Sequence, residues 1–384
     1  MREGWLLDSL SNCIKLKSGD GLTAKKMISG EFPVFGGNGV AGYHNDFNLS
    51  GENVIIGRVG ALCGNSRHIN EKIWLTDNAF KVSEFKYDFD LEFLNYLLNH
   101  VELRSYARQA AQPVISNSSL KNVILSFPKL LEEQKQIVAI LNKAFTAIDQ
   151  AKANIDKNIV NAKELFQSKL NDIFSQKGVG WEEKSLSEVC DIRPPKKLAK
   201  EKLKDSDLVS FVPMKYLKVN QMYFNSEETK PLEQAYSGYV YFEEGDVVLA
   251  KITPCFENGK LGIAKDLENG IGFGSSEYVV YRVDKNKLSA EFLYFFLNRG
   301  KFRIKGKSLM SGAVGHKRIQ PNFYENEIIY LPNLTVQNNI LDSITTLQIN
   351  VNQIESNYNK KIEDLVDLKK SVLQKAFAGE LTQK

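Results

Sequence analysis

The chain has 384 residues, 43% hydrophobic and 25% charged, with 50 basic residues against 46 acidic ones for a net charge of +4. That is ordinary globular usage with room for two or three domains, so disordered and fibrous classes are excluded. A balance this even excludes coating nucleic acid by bulk charge; binding of that kind needs local patches.

No stretch reaches 18 consecutive apolar residues, and the opening MREGWLLDSLSN lacks the apolar core of a signal peptide, so a cytosolic (cytoplasmic) protein with no membrane span is expected. Cys13, Cys63, Cys190 and Cys255 lie far apart without a CxxC pair, and there are 4 histidines. Neither a disulfide framework nor a metal cluster is expected, and no cofactor.

From the N-terminus, Gly4-Trp5 is followed by Ser9-Leu10-Ser11, and the same grammar returns as Gly180-Trp181 and Ser185-Leu186-Ser187, offset by 176. Asn53–Arg58 parallels Asp246–Lys251 at offset 193, and Glu92-Phe93-Leu94 parallels Glu291-Phe292-Leu293 at 199. Phe127-Pro128, Gln134, Ile137, Ser168, Leu170 and Phe174 match Leu331-Pro332, Gln337, Ile340, Ser371, Leu373 and Phe377, with the last five pairs at a constant 203. The chain is therefore an internal two-fold repeat whose second globular copy is longer by 27 residues, as the offset rises from 176 to 203.

Each copy ends in a long amphipathic segment. Ile137, Leu141, Ala144, Ile148, Ala151, Ile155, Ala162 and Leu165 step by fours and threes, with Asn158 the polar member; Ile340, Ile344, Leu347, Val351, Ile354, Tyr358, Leu365, Leu368 and Val372 repeat the seam, with Lys361 at the polar place. No proline or glycine interrupts either run, so each is expected to extend about 40 residues, roughly 60 Å, ending near Gly178 and Gly379. A helix that long overhangs a domain of this size. The two are expected to pair with one another, antiparallel because a two-fold repeat places like elements oppositely. The globular parts carry short strand-like runs, Val54–Ile56, Val247–Leu249 and Tyr278–Tyr281, between glycine-rich turns, then a helix around 91–107 or 290–304. The fold class is α+β: two mixed α/β domains at 1–130 and 177–332, and helices at 131–176 and 333–384, forming a coiled coil.

Catalytic signatures are missing. Phe35-Gly-Gly-Asn-Gly39 fits a methyl-donor loop, but the Asn-Pro-Pro-aromatic partner motif is absent; the only Pro-Pro is Pro194-Pro195 in RPPKK. Gly306-Lys307-Ser308 looks like the end of a phosphate loop, yet Lys301 stands where the loop needs glycine. There is no Pro-Asp to open a nuclease metal site. A non-catalytic protein is expected.

Two regions suit DNA. Between Glu291 and Glu325 there is no acid, while Arg299, Lys301, Arg303, Lys305, Lys307, Lys317 and Arg318 give a local field of +7; between Glu102 and Glu132 the equivalent stretch is also acid-free, with Arg104, Arg108, Lys121 and Lys129. The alternative is that Arg299–Lys307 is the wet face of a helix. Base reading needs donors on loops as well as charge near phosphates. The candidate DNA-binding residues are Asn38, Arg58, Arg67, Gln112, Asn117 and Lys121 in the first copy, and Lys251, Asn258, Lys260, His316, Lys317 and Arg318 in the second.

The whole chain resembles the specificity subunit of type I restriction-modification enzymes. The motifs that carry this are Leu373-Gln-Lys-Ala-Phe-Ala-Gly-Glu-Leu381, Leu131-Glu-Glu-Gln-Lys-Gln-Ile137 after Phe-Pro, Phe32–Gly39 and Gly245–Lys260; Val336-Gln-Asn-Asn339 departs from the family's Glu-Gln-rich opening. The resemblance implies two target-recognition domains, each reading half of a split, asymmetric site in double-stranded DNA. It also implies a spacer of two antiparallel helices that docks methyltransferase subunits and restriction (translocase) subunits, with DNA methylation and type I restriction carried out by those partners. The rival class is a coiled-coil scaffold whose end domains bind proteins; it would not need two acid-free basic regions at equivalent places.

Overall fold

The computed structural model describes residues 3–108, 112–313 and 315–382. The chain divides into two compact units, Met1–Asp156 with Asn359–Lys384, and Lys157–Tyr358. Both long helices, Leu131–Ile173 (43 residues) and Leu334–Phe377 (44 residues), are continuous, and each unit takes part of both.

In the first unit the strand Trp5–Ser9 pairs antiparallel with Ile124–Pro128, just ahead of the central helix. A four-stranded sheet runs in the order Ile14–Ser18, Ala79–Phe85, Glu52–Gly57, Ser66–Asn70, and a three-stranded one joins Gly39–His44, Phe32–Gly36 and Trp74–Leu75. The core gathers Val54, Ile56, Phe93, Leu97 and Phe127, and the seam residues Ile137 and Leu141 enter it together with Ala376 and Phe377 of the C-terminal helix.

The second unit repeats this plan. Glu182–Ser185 pairs with Ile328–Leu331 ahead of the C-terminal helix. Its main sheet orders Cys190–Ile192, Tyr278–Val283, Val247–Ala250, Leu261–Ala264 and Tyr223–Phe224. The second sheet has four strands where the first unit has three, with a separate core of Val209, Leu232, Tyr241 and Phe273. The main core collects Val247, Val279, Phe292 and Phe296 with Phe166, Leu170 and Phe174 from the central helix and Ile344 and Val351 from the C-terminal one.

The helix segments run antiparallel within each unit. In the first, Lys369 pairs with Asp149 at 2.9 Å and Thr382 donates to Glu133 at 2.8 Å; in the second, Lys163 pairs with Glu355 at 2.7 Å and Asn158 donates to the Tyr358 hydroxyl at 3.4 Å. The seam differs in detail from the simple four-three count. Ile148 is buried, and Ile155, Ile340, Leu347, Leu365 and Val372 are half-buried, but Leu165 is 55% exposed and Ile354 41% exposed. Phe166, next to Leu165, turns into the core instead, because a straight helix drifts against a 3.5-residue repeat over this length.

One repeated device fixes each helix start. Gln134 and Gln337 are fully buried. The Gln134 amide accepts from the backbone N–H of Asp90 (2.9 Å) and donates to the carbonyls of Asp88 and Pro128 (3.1 Å each). Gln337 accepts from the N–H of Ser289 (3.0 Å) and donates to Lys287 (2.6 Å) and Pro332 (2.8 Å). Asp90 and Ser289 are the N-caps of Leu91–His100 and Ala290–Leu297, so one glutamine ties strand end, helix cap and long helix together.

Three expectations change. The domain-closing helices are shorter: the first stops at His100 before Glu102 at φ 52°, and the second breaks at Arg299, whose ψ is 139°, before a further helix Gly300–Ser308. The central helix ends at Ile173, five residues ahead of Gly178, whereas the C-terminal one closes on Gly379 at φ 77°. The glycines singled out as motif fragments are packing glycines: a Cβ at Gly37 would lie 1.8 Å from the Val59 carbonyl, and one at Gly306 would strike the rings of Phe256 and Phe323. No helix among the described residues is long and apolar enough to cross a membrane.

Candidate nucleic-acid interface

In each unit the candidate residues, Asn117 and Lys121 excepted, gather at the end of the main sheet where an inner strand runs out, at Arg58 in one and Lys251 in the other. The backbone there is the same network drawn twice. The N–H of Arg58 donates to the Asn78 carbonyl (2.9 Å), and that of Lys251 to Glu277 (2.9 Å). The Arg58 carbonyl accepts from Ile115 (3.0 Å), and that of Lys251 from Ile319 (3.0 Å). Gly60 donates to Pro113 (3.0 Å), and Thr253 to Lys317 (2.9 Å). Arg108 donates to Val114 (3.0 Å), and Ser311 to Arg318 (3.1 Å). This frame holds three loops side by side and leaves their side chains to differ: Arg58 against Lys251, Asn78 against Glu277, Gln112 against His316, Pro113 against Lys317, Val114 against Arg318.

On the first frame, exposed Asn38 accepts from the N–H of Leu62 (2.9 Å), which ties the Gly36–Gly39 turn to the strand end. Arg58 lies over the Phe80 ring (5.2 Å) and reaches Ser18 (3.3 Å) and the Asp77 carbonyl (3.4 Å), with Nε buried and unbonded. Arg67 projects from the strand Ser66–Asn70 toward Gly39; burial lowers its pKa, and its Nη1 has no hydrogen-bond partner. Gln112 is exposed beside the frame. Asn117 sits one step away, donating to the Leu16 carbonyl (3.2 Å). Lys121 is exposed beyond the short helix Asn117–Leu120, where its carbonyl accepts from Ser11 (2.9 Å), and it takes part in none of the frame's hydrogen bonds among the described residues.

On the second frame, Lys251 donates to the Ser276 carbonyl (2.9 Å). Burial lowers its pKa, opposed by Glu277 and reinforced by Arg193 and Arg318, which places all four within one field. Arg318 is not an open donor: Nε and Nη2 bond Glu277 at 2.9 and 2.7 Å, and Nη1 bonds the His316 carbonyl at 3.0 Å. Lys260 reaches the Met214 carbonyl (2.8 Å), and Asn258, His316 and Lys317 are exposed.

The linear field of +7 does not survive folding as a surface. Arg299 is only 7% exposed, stacks on Phe296 (3.7 Å), lies 3.8 Å from Glu327, and is pushed down to about 10 by burial. Arg303 caps Asn298 through two 2.8 Å bonds, and Lys305 pairs with Glu327 at 2.6 Å. Arg299 and Arg303 therefore face inward, so neither an open basic patch nor a uniformly wet helix face describes the segment; Lys301, Lys305, Lys307 and Lys317 are its exposed cations, and of these Lys305 is neutralised by Glu327.

The sequence reading missed Arg193 and Glu277. Arg193 adopts φ 61°, pairs with Glu325 at 2.7 Å and joins the second frame through its N–H to the Val280 carbonyl (2.8 Å). Its signal was the RPPKK run, where two prolines end a strand. Glu277 carried no signal for a search confined to donors. Among the described residues no group of His, Cys, Asp or Glu is placed to hold a metal. Burial raises the thiols of Cys13 and Cys190, to about 11 and about 12, so both are unreactive packing groups.

Fold and frame together define a tandem repeat of one mixed α/β domain mounted on paired antiparallel helices. The family model described as "Type I restriction modification DNA specificity domain" matches residues 9–160 and again 178–364. The chain belongs to this family, with two copies of its domain. The specificity subunit of the type I restriction enzyme EcoEI from Escherichia coli is 34% identical over 176 residues, 46% of this chain and 29% of that protein, so the match spans less than a third of the relative's length. The EcoprrI specificity subunit, also from Escherichia coli, is 30% identical over 168 residues, 41% of each chain. Two solved structures share the fold. One, from work on complex assembly and conformational transition of the type I R-M system, has TM-score 0.71 and 16% identity over 99% of both chains. The other, the HsdS subunit from Thermoanaerobacter tengcongensis, has TM-score 0.57 and 17% identity over 98% of this chain and 97% of that one.

Proposed function

We propose that this chain is the sequence-specificity subunit of a type I restriction-modification complex, non-catalytic itself and acting in the cytoplasm. Each globular domain reads one half of a split, asymmetric site in double-stranded DNA. The paired helices set the gap between the halves and dock methyltransferase and restriction subunits. The observation that carries this reading is the doubled frame: one backbone network presents two different sets of side chains, as two unlike readers on a common mount require. The candidate readers are Asn38, Arg58, Arg67 and Gln112 on the first frame, with Asn117 beside it, and Lys251, Asn258, Lys260, His316 and Lys317 on the second.

Methylome sequencing of a host with and without the gene tests it. The expected result is a bipartite, asymmetric motif that disappears with the gene; one continuous motif, or none, overturns the proposal. Inserting one helical turn into both long helices at paired positions is expected to change the gap and leave both half-sites alone. A protein-binding scaffold would instead bind DNA without base preference or steep salt dependence.

A further inference from the structure

Among the described residues the guanidinium of Arg67 meets no acceptor. Every other described arginine that is half-buried or more meets one: Arg282 meets Asp246, Arg318 meets Glu277, Arg303 meets Asn298, Arg299 donates to the Phe296 carbonyl, and Arg58 reaches Ser18 and the Asp77 carbonyl. Among the described residues Arg67 makes neither ion pair nor hydrogen bond, and its Nη1 is sequestered without a partner. Arg67 is half-buried, and its Nε and Nη2, which are not sequestered as Nη1 is, also meet no acceptor among the described residues, so this edge of the fork is left for an acceptor from outside the chain.

Its surroundings say where that acceptor enters. Arg67 stands opposite Ile55 in the strand pair, on the side that packs toward the three-stranded sheet. A Cβ on Gly39 would lie 3.5 Å from its Nη2, so glycine there leaves that side of the guanidinium without a covering side chain. Gly39 sits at φ 102°, in the same turn as Asn38, and Gly60 lies directly under the Asn38 amide. The site is thus part of the first frame. The second unit has no counterpart: the register that sets Ile55 opposite Arg67 sets Val248 opposite Gly262, and the Phe224 ring occupies the space above that glycine.

We infer that Arg67 is a specificity-determining residue of the first domain, donating two hydrogen bonds from its Nε–Nη2 edge to the N7 and O6 edge of a guanine in its half-site, with Gly39 kept bare for access. This rests on the DNA-reading function proposed above. A backbone phosphate offers the same pair of acceptors, and the experiment separates the two.

The assembled complex carrying Arg67→Ala or Arg67→Lys is compared with the parent by methylome sequencing and by binding to duplexes permuted at each position, at several salt concentrations. Guanine reading predicts that one G·C position of one half-site relaxes by roughly 10- to 100-fold in discrimination, with the other half-site and the gap unchanged. The salt slope then stays constant. If Arg67 holds a phosphate, affinity falls alike for all sequences and the slope drops by about 1, which overturns the inference. An unchanged motif overturns it too. Misfolding is controlled by thermal melting: Arg67→Ala, which removes a half-buried guanidinium with no partner among the described residues, is expected to melt no lower than the parent, and a large drop would mean that Arg67 is structural. If the parent itself shows no bipartite motif, the underlying function fails and not this assignment.

Discussion

The two sheet ends compare as one scaffold with opposite electrostatic policies. In the first frame no carboxylate among the described residues pairs with Arg58 or Arg67: the one lies over Phe80, the other beside Gly39, and each keeps a buried nitrogen without a partner. Around Lys251 the second frame is internally neutralised, with Arg318 clamped by Glu277 and Arg193 by Glu325. The backbone bonds are shared, so the difference lies wholly in side chains. A repeat can conserve its mount and still exchange its readers, because the frame is made of N–H and carbonyl groups that every non-proline residue supplies.

The largest expected effect tests the shared part. Gln134→Ala and Gln337→Ala each strand two carbonyls, the buried one of Pro128 or Pro332 and a partly buried one, together with one N–H, and each is expected to cost its own unit about 3 kcal/mol. Equal losses by denaturant unfolding would confirm one device used twice; an effect in only one unit would break the comparison. Next comes a difference in the sheets. Asp246 is 3% exposed and holds Arg282 bidentately, while the matching Asn53 in the first unit makes only neutral bonds to Ser50 and Gly51. Asp246→Ala is expected to cost about 2 kcal/mol, below the usual toll for a broken buried pair, because Glu243 remains 3.5 Å from Arg282. Asn53→Ala should cost under about 1 kcal/mol by the same measurement.

Glu277→Gln removes the counter-charge of Arg318, so that, like Arg58, it pairs with no carboxylate. Stability should change by less than about 1 kcal/mol, since the pair is half-exposed, while the log–log salt dependence of DNA binding steepens by about 0.9. A slope that stays put would show that Arg318 does not reach DNA.

The smallest effect concerns a stacking pair. His100 lies on Phe377 (4.7 Å, 23°) where the second unit sets Arg299 near Phe174 (5.7 Å). Burial holds His100 below its ordinary pKa, opposed by Glu102, so the fold favours the neutral ring. Its contribution is therefore full above about pH 6.5 and is lost as pH falls from there through the lowered folded value. The first unit should lose a small increment of stability on acidification that His100→Gln abolishes, checked by melting between pH 7 and 5.

Much of the architecture was legible beforehand. The drifting and then constant offset exposed the repeat, the four-three spacing gave two helices of equal length, and Gln134 and Gln337 stood out as matched polar residues. Leu165 and Ile354 show where periodicity fails: at that distance along the helix a one-residue drift moves a side chain from seam to solvent, and Phe166 is the better-placed neighbour. The interface was less legible because donors were sought without their neutralising partners.

The sequence by itself determined the class, the doubling and the paired helices, since hydrophobic spacing and repeated strand–Pro–helix junctions are local properties of the chain. Only the tertiary structure decided which cations remain available. Arg299, Arg303, Lys305 and Arg318 form one basic run in sequence, yet two turn inward, Lys305 meets Glu327, and Arg318 meets Glu277, 41 residues away. Charge acts through space, and in a packed chain the nearest opposite charge is seldom the nearest in sequence.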